Sequence, residues 1–179
     1  PEMEALTPLL KREIPAHFHA HRADDILTAV RIAKEFHLRY SILHATSAQR
    51  IIPCLAEENM IPIVGPSMGP AGKPETVDDS FATAGQLSKA GIQPAITTDH
   101  GVTPLWLLPF FAAQCVREGM AEDEALRAIT IYPARAMGVE ERVGSIRPEK
   151  DADIVVFNGH PFHYLTRATA VFINGERME

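Results

Sequence analysis

The chain has 179 residues, of which 46% are hydrophobic and 22% are charged. These proportions match ordinary globular domains and exclude an intrinsically disordered chain, while the length suits one domain or part of a larger one. The formal net charge of −6 argues against a nucleic-acid or anionic-membrane partner, because both bind through clustered Lys and Arg.

The cysteine count and the apolar stretches bear on the compartment. No stretch reaches the roughly 18 consecutive apolar residues of a membrane span, and the first apolar stretch lacks the cleavage pattern of a signal peptide. Two cysteines, Cys54 and Cys115, are too few for a disulfide framework, and each lies in an apolar helical pattern. We therefore expect buried, reduced thiols and a cytoplasmic protein.

Extended and helical patterns alternate up to about residue 120. A lead-in helix is predicted at residues 1–13, and strands are predicted at residues 14–21, 39–44, 60–64 and 93–98. One helix is predicted from the helical spacing of Ile26, Val30, Ala33 and Phe36. A second is predicted from a capping box at residues 46–49, which precedes an apolar face of Ile51, Ile52, Leu55 and Ala56. Further helices are predicted at residues 76–90, 105–118, 122–129 and 133–138. Four such strand–helix units predict an α/β protein whose mainly parallel sheet has helices outside it.

Two segments depart from this alternation. The Gly- and Pro-rich loop at residues 65–74 is either a cover over a pocket or a flexible connection. The tail has β-type runs at residues 153–157 and 169–173, and Asn174 with Gly175 makes a strong turn dipeptide. The tail is therefore expected to form a separate, antiparallel element. Four strand–helix units fit an open sheet or half of an eight-unit barrel, and periodicity does not separate the two.

Three of the four predicted strands end in side chains that can bind a metal or move a proton. The first ends in residues 17–21 (HFHAH), the second in His44, and the fourth in Asp99 and His100. In parallel α/β proteins the carboxyl ends of the strands lie at one edge, where loops converge into sites. Neutral imidazole suits zinc and related ions, and a carboxylate can complete such a set. The pattern favours a metal site.

Each of these residues also has a structural interpretation. His17, deepest in its strand, is assigned to packing. His44 can be a hydrogen-bonded residue of the core or rim, Asp99 a turn or N-cap aspartate, and His100 a solvent-facing turn residue. Arg22 can pair with the carboxylates that begin the next helix.

Four segments resemble the amidohydrolase superfamily, in particular its imidazolonepropionase-like and cyclic-amide or dipeptide hydrolases. They are HFHAHRADDI at residues 17–26, HATSA at 44–48, TTDHG at 97–101 and RVGSIRPEKDADIVVFNGHPF at 142–162. The last is similar to the motif with which the family's chain leaves its barrel for a small β-sandwich. The likeness covers nearly the whole chain.

The resemblance implies the C-terminal half of a (β/α)8 TIM-type barrel. Residues 1–138 would supply strands five to eight, and residues 139–179 the C-terminal strands of a small composite β-sandwich. The family's metal ligands after strands five, six and eight correspond here to His19, His44 and Asp99.

The neighbouring His21 leaves one ambiguity. With His19 it has the His-x-His form of the pair that follows strand one in the family. Only four strand–helix units follow before the closing motif, so the assignment to strand five fits better.

The function implied by the resemblance is metal-dependent hydrolysis of a C–N bond in an amide, a lactam or a proline-type dipeptide. A divalent metal, with zinc the expected ion, would activate the water, and Asp99 would move its proton. His21, Arg22 and His100 would contact the small-molecule substrate. The expected partner is the missing N-terminal half or another copy of the chain, because a half barrel has exposed sheet edges. The alternative is a non-catalytic α/β binding or structural module.

Overall fold

The computed structural model describes residues 4–69 and 72–179. Its helices are α1 (Thr7–Leu10), α2 (Ala23–Glu35), α3 (Ile52–Leu55), α4 (Ala82–Lys89), α5 (Leu108–Arg117), α6 (Glu122–Ala128) and α7 (Ile131–Met137). Its strands are β1 (Ala16–Ala20), β2 (Tyr40–His44), β3 (Ile61–Val64), β4 (Ala95–Ile96), β5 (Ile154–Phe157), β6 (Ala168–Ile173) and β7 (Glu176–Arg177). The first three residues of the predicted lead-in helix, and two of the predicted 65–74 loop, lie outside the described part.

Strands β1 to β4 form one parallel sheet in chain order, which confirms the predicted α/β class. The register places Ala20 of β1 beside His44 of β2, and His44 beside Val64 of β3. Helical residues pack with the sheet in one core, where Leu87 and Phe111 are almost fully buried. The carboxyl ends of β1 and β2 therefore lie side by side at one edge.

The other face of β1 is open. Ala16 and Ala20 are buried, whereas His17 and His19 between them are exposed, as strand alternation requires when only one face carries the core. The sequence assigns His17 to packing, whereas its side chain lies exposed on this open face. Its Nδ1 lies 2.5 Å from the hydroxyl of the buried Ser41 on β2.

Two predicted helices differ from the structure. The segment expected to open with a capping box forms a 3-10 turn at Ala48–Ile51 followed by the short α3, and no side chain caps either one. The helix predicted at residues 76–90 begins only at Ala82, after a 3-10 turn at Pro74–Thr76. At the first place the polar side chains bond to other loops, Thr46 to His21 and Ser47 to Asp78, and so do not cap a helix.

Three residues that the sequence predicts to be buried differ in their exposure: one phenylalanine and the two cysteines. Phe36 lies just beyond α2 and is 52% exposed, so it does not extend the buried face of that helix. Cys115 is buried, and burial raises the pKa of its thiol to about 12. Cys54 is exposed, contrary to the prediction, because the short α3 turns it outward.

The tail forms a second sheet. Strands β5, β6 and β7 pair antiparallel in that order, and Asn174 and Gly175, both at positive φ, make the predicted turn. The division of the chain at residues 138 and 139 stays a prediction. Across the residues described, none of the helices is long and apolar enough to cross a membrane.

Truncating a core leucine tests the packing of α4 against the sheet. We expect Leu87→Ala to lower the free energy of unfolding by about 3 kcal/mol, because its side chain is fully buried and leaves a cavity. Leu10→Ala in α1 is the matched control, since Leu10 is 57% exposed, and should cost less than about 0.5 kcal/mol. Urea denaturation measures both, and equal losses would contradict the described core.

Candidate metal centre

Three imidazoles meet at the carboxyl edge of the parallel sheet. His19, His21 and His44 each offer one ring nitrogen, and these three atoms lie within 4.8 Å of one another. The ring of His44 lies 4.4 Å from that of His19 and 4.5 Å from that of His21, measured between centroids. The rings of His21 and His44 are stacked, with 8° between their planes. We call these three residues the histidine cluster.

Backbone conformation brings His44 into the cluster. In the ladder His44 pairs with Ala20, and simple alternation would put it on the same face as the fully buried Ile42. His44 ends the strand at φ 73° and Ala45 follows at φ 46°, both in the left-handed region. This turn breaks the alternation, and the ring meets His19. Left-handed backbone is uncommon outside glycine and concentrates at functional sites.

A backbone carbonyl fixes the ring of His44. Its Nδ1 lies 2.7 Å from the carbonyl oxygen of Gly65, so neutral His44 donates there and leaves Nε2 as the free lone pair. Gly65 has φ 114°, and a Cβ at this position would lie 2.4 Å from the carbonyl oxygen of Thr97. Only glycine fits between β3 and β4 at this point.

His21 is held through two atoms. Its Nδ1 lies 2.8 Å from the Thr46 hydroxyl, and its carbonyl accepts the N–H of Ser47 at 2.8 Å. Burial lowers the pKa of His21, and the neighbouring His44 and His19 lower it further. The neutral imidazole that results is the form that binds a metal.

The other predicted site residues lie outside the cluster. Asp99 follows β4 at φ 49°, is half-buried, and donates its N–H to the Thr97 hydroxyl at 3.0 Å. His100 is exposed, and its Nδ1 accepts the N–H of Leu105 at 3.1 Å. In the part of the chain that the structure describes, the group of ligand atoms within 4.8 Å contains the three histidines and not Asp99.

Arg22 pairs with carboxylates at the start of α2. Its guanidinium lies 2.8 Å from Asp24 and 4.0 Å from Asp25, and all three side chains are largely exposed. The hydrogen bond from Arg22 lowers the pKa of Asp24 to about 2.

Sequence reasoning missed four residues that support the cluster: Thr46, Ser47, Gly65 and Asp78. Asp78 accepts hydrogen bonds from the Ser47 hydroxyl at 2.7 Å and from Arg50 at 2.5 Å, and both bonds lower the pKa of its carboxyl. Thr46 and Ser47 were assigned to a helix cap because their spacing to Gln49 fits one. Nothing in the local pattern indicates that their partners lie 25 and 31 residues away.

Comparison with known proteins identifies the family. The sequence profile described as the amidohydrolase family matches residues 3–178. The chain therefore belongs to the amidohydrolase family.

Three relatives illustrate the likeness. The chain is 41% identical over 80 residues to an imidazolonepropionase of Geobacillus kaustophilus, a match that covers 43% of this chain and 19% of that protein. It is 42% identical to an amidohydrolase from Thermotoga maritima, whose crystal structure matches with a TM-score of 0.95 over 99% of this chain and 46% of the other. A Xaa-Pro dipeptidase with bound methionine, 21% identical, shares the fold with a TM-score of 0.72 over 92% of this chain and 45% of its own. The chain thus spans less than half the length of these relatives.

Replacing Gly65 tests how the cluster is built. We expect Gly65→Ala to cost about 2 kcal/mol more in unfolding free energy than Gly101→Ala, because the new methyl group meets the Thr97 carbonyl. Gly101 is a matched control, since its φ of 113° imposes the same backbone strain but a Cβ there meets nothing within 4 Å. Urea denaturation compares the variants, and ¹⁵N NMR of the His44 ring follows the displacement of the residue-65 carbonyl that Nδ1 contacts. Equal destabilisation with an unchanged His44 spectrum would contradict this geometry.

Proposed function

We propose that this chain is the C-terminal half of the catalytic barrel of a metal-dependent hydrolase that cleaves a C–N bond. One observation carries the proposal: three imidazoles converge at the carboxyl ends of two adjacent parallel strands, two of them with Nδ1 already engaged. Buried or partly buried histidines held in this way present Nε2, as metal-binding histidines do. Membership of the amidohydrolase family supports the same conclusion.

The barrel assignment rests on topology and on the relatives. Four parallel strands in chain order correspond to strands five to eight of the proposed barrel, with residues 139–179 as part of a composite β-sandwich. The match to 46% of the Thermotoga maritima amidohydrolase is the share expected of such a half. The proposed partner at the free edges of the sheet, along β1 and β4, is an N-terminal half, with a second copy of the chain as the other possibility.

The donor set of the cluster fits a zinc-like ion. Imidazole nitrogen is a preferred ligand of zinc, and three neutral rings leave room for a carboxylate or a water. Such a metal lowers the pKa of a bound water to about 7 and polarises a carbonyl. We assign His19, His44 and Asp99 as the ligands that the likeness to the amidohydrolase family implies. His19 and His44 lie at the carboxyl ends of β1 and β2, and Asp99 follows β4.

Asp99 is also the proposed general base and general acid of the reaction. In the proposed reaction its carboxylate takes a proton from the attacking water and passes it to the leaving nitrogen. Asp99 has a left-handed backbone, and its N–H donates to the Thr97 hydroxyl. These two features fix the backbone position from which its side chain extends. Half-burial keeps the carboxylate accessible to a substrate at the strand ends.

The proposed substrates are amides, lactams or proline-type dipeptides, which is the chemistry named by the imidazolonepropionase and Xaa-Pro dipeptidase relatives. His21, Arg22 and His100 are proposed to contact the substrate. Arg22 suits a substrate carboxylate, because an exposed ion pair such as its pair with Asp24 is weak and readily exchanged. The guanidinium then offers two parallel donors.

A chimera tests the reaction. We would replace the matching 46% of the Thermotoga maritima amidohydrolase with this chain and assay the product on imidazolone, lactam and Xaa-Pro substrates. Asp99→Asn in this chimera should lower turnover by at least about 100-fold with an unchanged melting temperature, because the proton acceptor is lost. Asp123→Asn is the control, because Asp123 is a carboxylate with 70% of its side chain exposed and, among the described residues, pairs only with Arg127 of its own helix. Retained turnover in Asp99→Asn would remove Asp99 from the mechanism.

Metal content tests the half-barrel assignment. We expect the isolated chain to lose zinc during dialysis against a weak chelator, whereas the chimera keeps it, since the other half adds ligands. Atomic absorption measures both. A stoichiometric ion held tightly by the isolated chain would mean that its own residues complete the site.

A further inference from the structure

Asp78 ties two loops together beside the histidine cluster. One carboxylate oxygen accepts from the Ser47 hydroxyl at 2.7 Å and the other from Arg50 at 2.5 Å. The Asp78 side chain is 14% exposed whereas that of Arg50 is 63% exposed, so the bond to the buried Ser47 is the shielded part of this network and the ion pair contributes less. The contact joins the segment between β3 and α4 to the loop that follows β2.

The tethered loop is the one that holds His21. Thr46 and Ser47, both buried, contact His21 from two sides: the hydroxyl of one meets Nδ1 and the N–H of the other binds the carbonyl oxygen. His21 lies one residue past the end of β1, so the strand ladder does not orient it. Its orientation therefore depends on this loop.

The hydrogen bond at Nδ1 determines which ring nitrogen of His21 is available to a metal. A ring whose Nδ1 faces the Thr46 hydroxyl has Nε2 as its remaining nitrogen, and the ring is stacked on His44 within the cluster. We propose that His21, instead of contacting the substrate, is a third imidazole ligand of the metal centre beside His19 and His44, and that Asp78 is a positioning residue that holds His21 through Ser47 and Thr46. The proposal rests on the proposed function in one respect, since it takes a metal at His19 and His44 as given.

The network resembles the hydrogen bonding that orients metal-binding histidines in general. There a carboxylate, a carbonyl or a water accepts the N–H of the second ring nitrogen, and loss of this acceptor lowers metal affinity by about 10- to 100-fold. His44 has such a partner in the Gly65 carbonyl. His21 has one in Thr46, and Asp78 locks the backbone that carries Thr46.

Cobalt titration of the chain, followed by its visible absorption bands, tests the proposal. We expect His21→Gln, Thr46→Val and Asp78→Asn each to weaken Co²⁺ binding by about 10-fold or more, with the visible spectrum altered. The double variant Thr46→Val with Asp78→Asn should lose little more than the larger single change, because both act on one ring. Asp24→Asn should bind as the unaltered chain does. In metal-free protein, ¹⁵N shifts of the His21 ring should move in Asp78→Asn while those of His19 stay.

The outcomes separate this inference from the proposed function. If His44→Gln abolishes binding but His21→Gln leaves it unchanged, His21 is not a ligand and the metal site itself stands. If neither the unaltered chain nor the chimera with the Thermotoga maritima amidohydrolase binds Co²⁺, both proposals fail; if only the chimera binds it, the same variants are compared in the chimera. If Thr46→Val weakens binding but a folded Asp78→Asn does not, Asp78 has no positioning role. Should Asp78→Asn not fold, Thr46→Val decides, since it leaves the Asp78 bonds intact, and unchanged affinity there would overturn the positioning network.

Discussion

The parallel pairing of β1 with β2 is the constraint on which the site depends. Because the two strands run in the same direction with Ala20 beside His44, their carboxyl ends and the histidines on them meet at one edge. An antiparallel pairing would have separated the same residues by the length of a strand. The left-handed turn at His44 then directs its ring toward His19. The side chains of two neighbouring strand ends therefore lie close enough to bind one metal ion.

Hydrogen bonds from neighbouring loops fix the orientation of two rings of the histidine cluster. The rings of His44 and His21 are each fixed at Nδ1, one by the Gly65 carbonyl and the other by the Thr46 hydroxyl. These partners come from the loops after β3 and β2, so three consecutive strand–loop units contribute to one site. The neutral form of His21 is favoured, because burial and the neighbouring imidazoles lower its pKa. This ring accepts a metal without first losing a proton.

The sequence predicted what local patterns encode. Strand–helix alternation gave the parallel sheet, and the polar strand ends indicated His19 and His44, since both follow directly from chain order in an α/β fold. The details of the loops were not predictable, because they depend on pairings between distant residues. Ser47 has the spacing of a helix cap, yet its hydroxyl bonds to Asp78, 31 residues away, and α3 and α4 begin only at Ile52 and Ala82. The positive φ of His44 is likewise invisible in an alternating β pattern.

The central claim is that this edge of the sheet is a metal site made of imidazoles, and X-ray absorption at the metal edge tests it most directly. The chain would be loaded with Co²⁺ or Zn²⁺ and its fine structure compared with that of the His21→Gln variant. We predict the outer-shell scattering of imidazole carbons from three rings, reduced by one ring in the variant. A first shell of oxygen alone, with no imidazole scattering, would contradict the account.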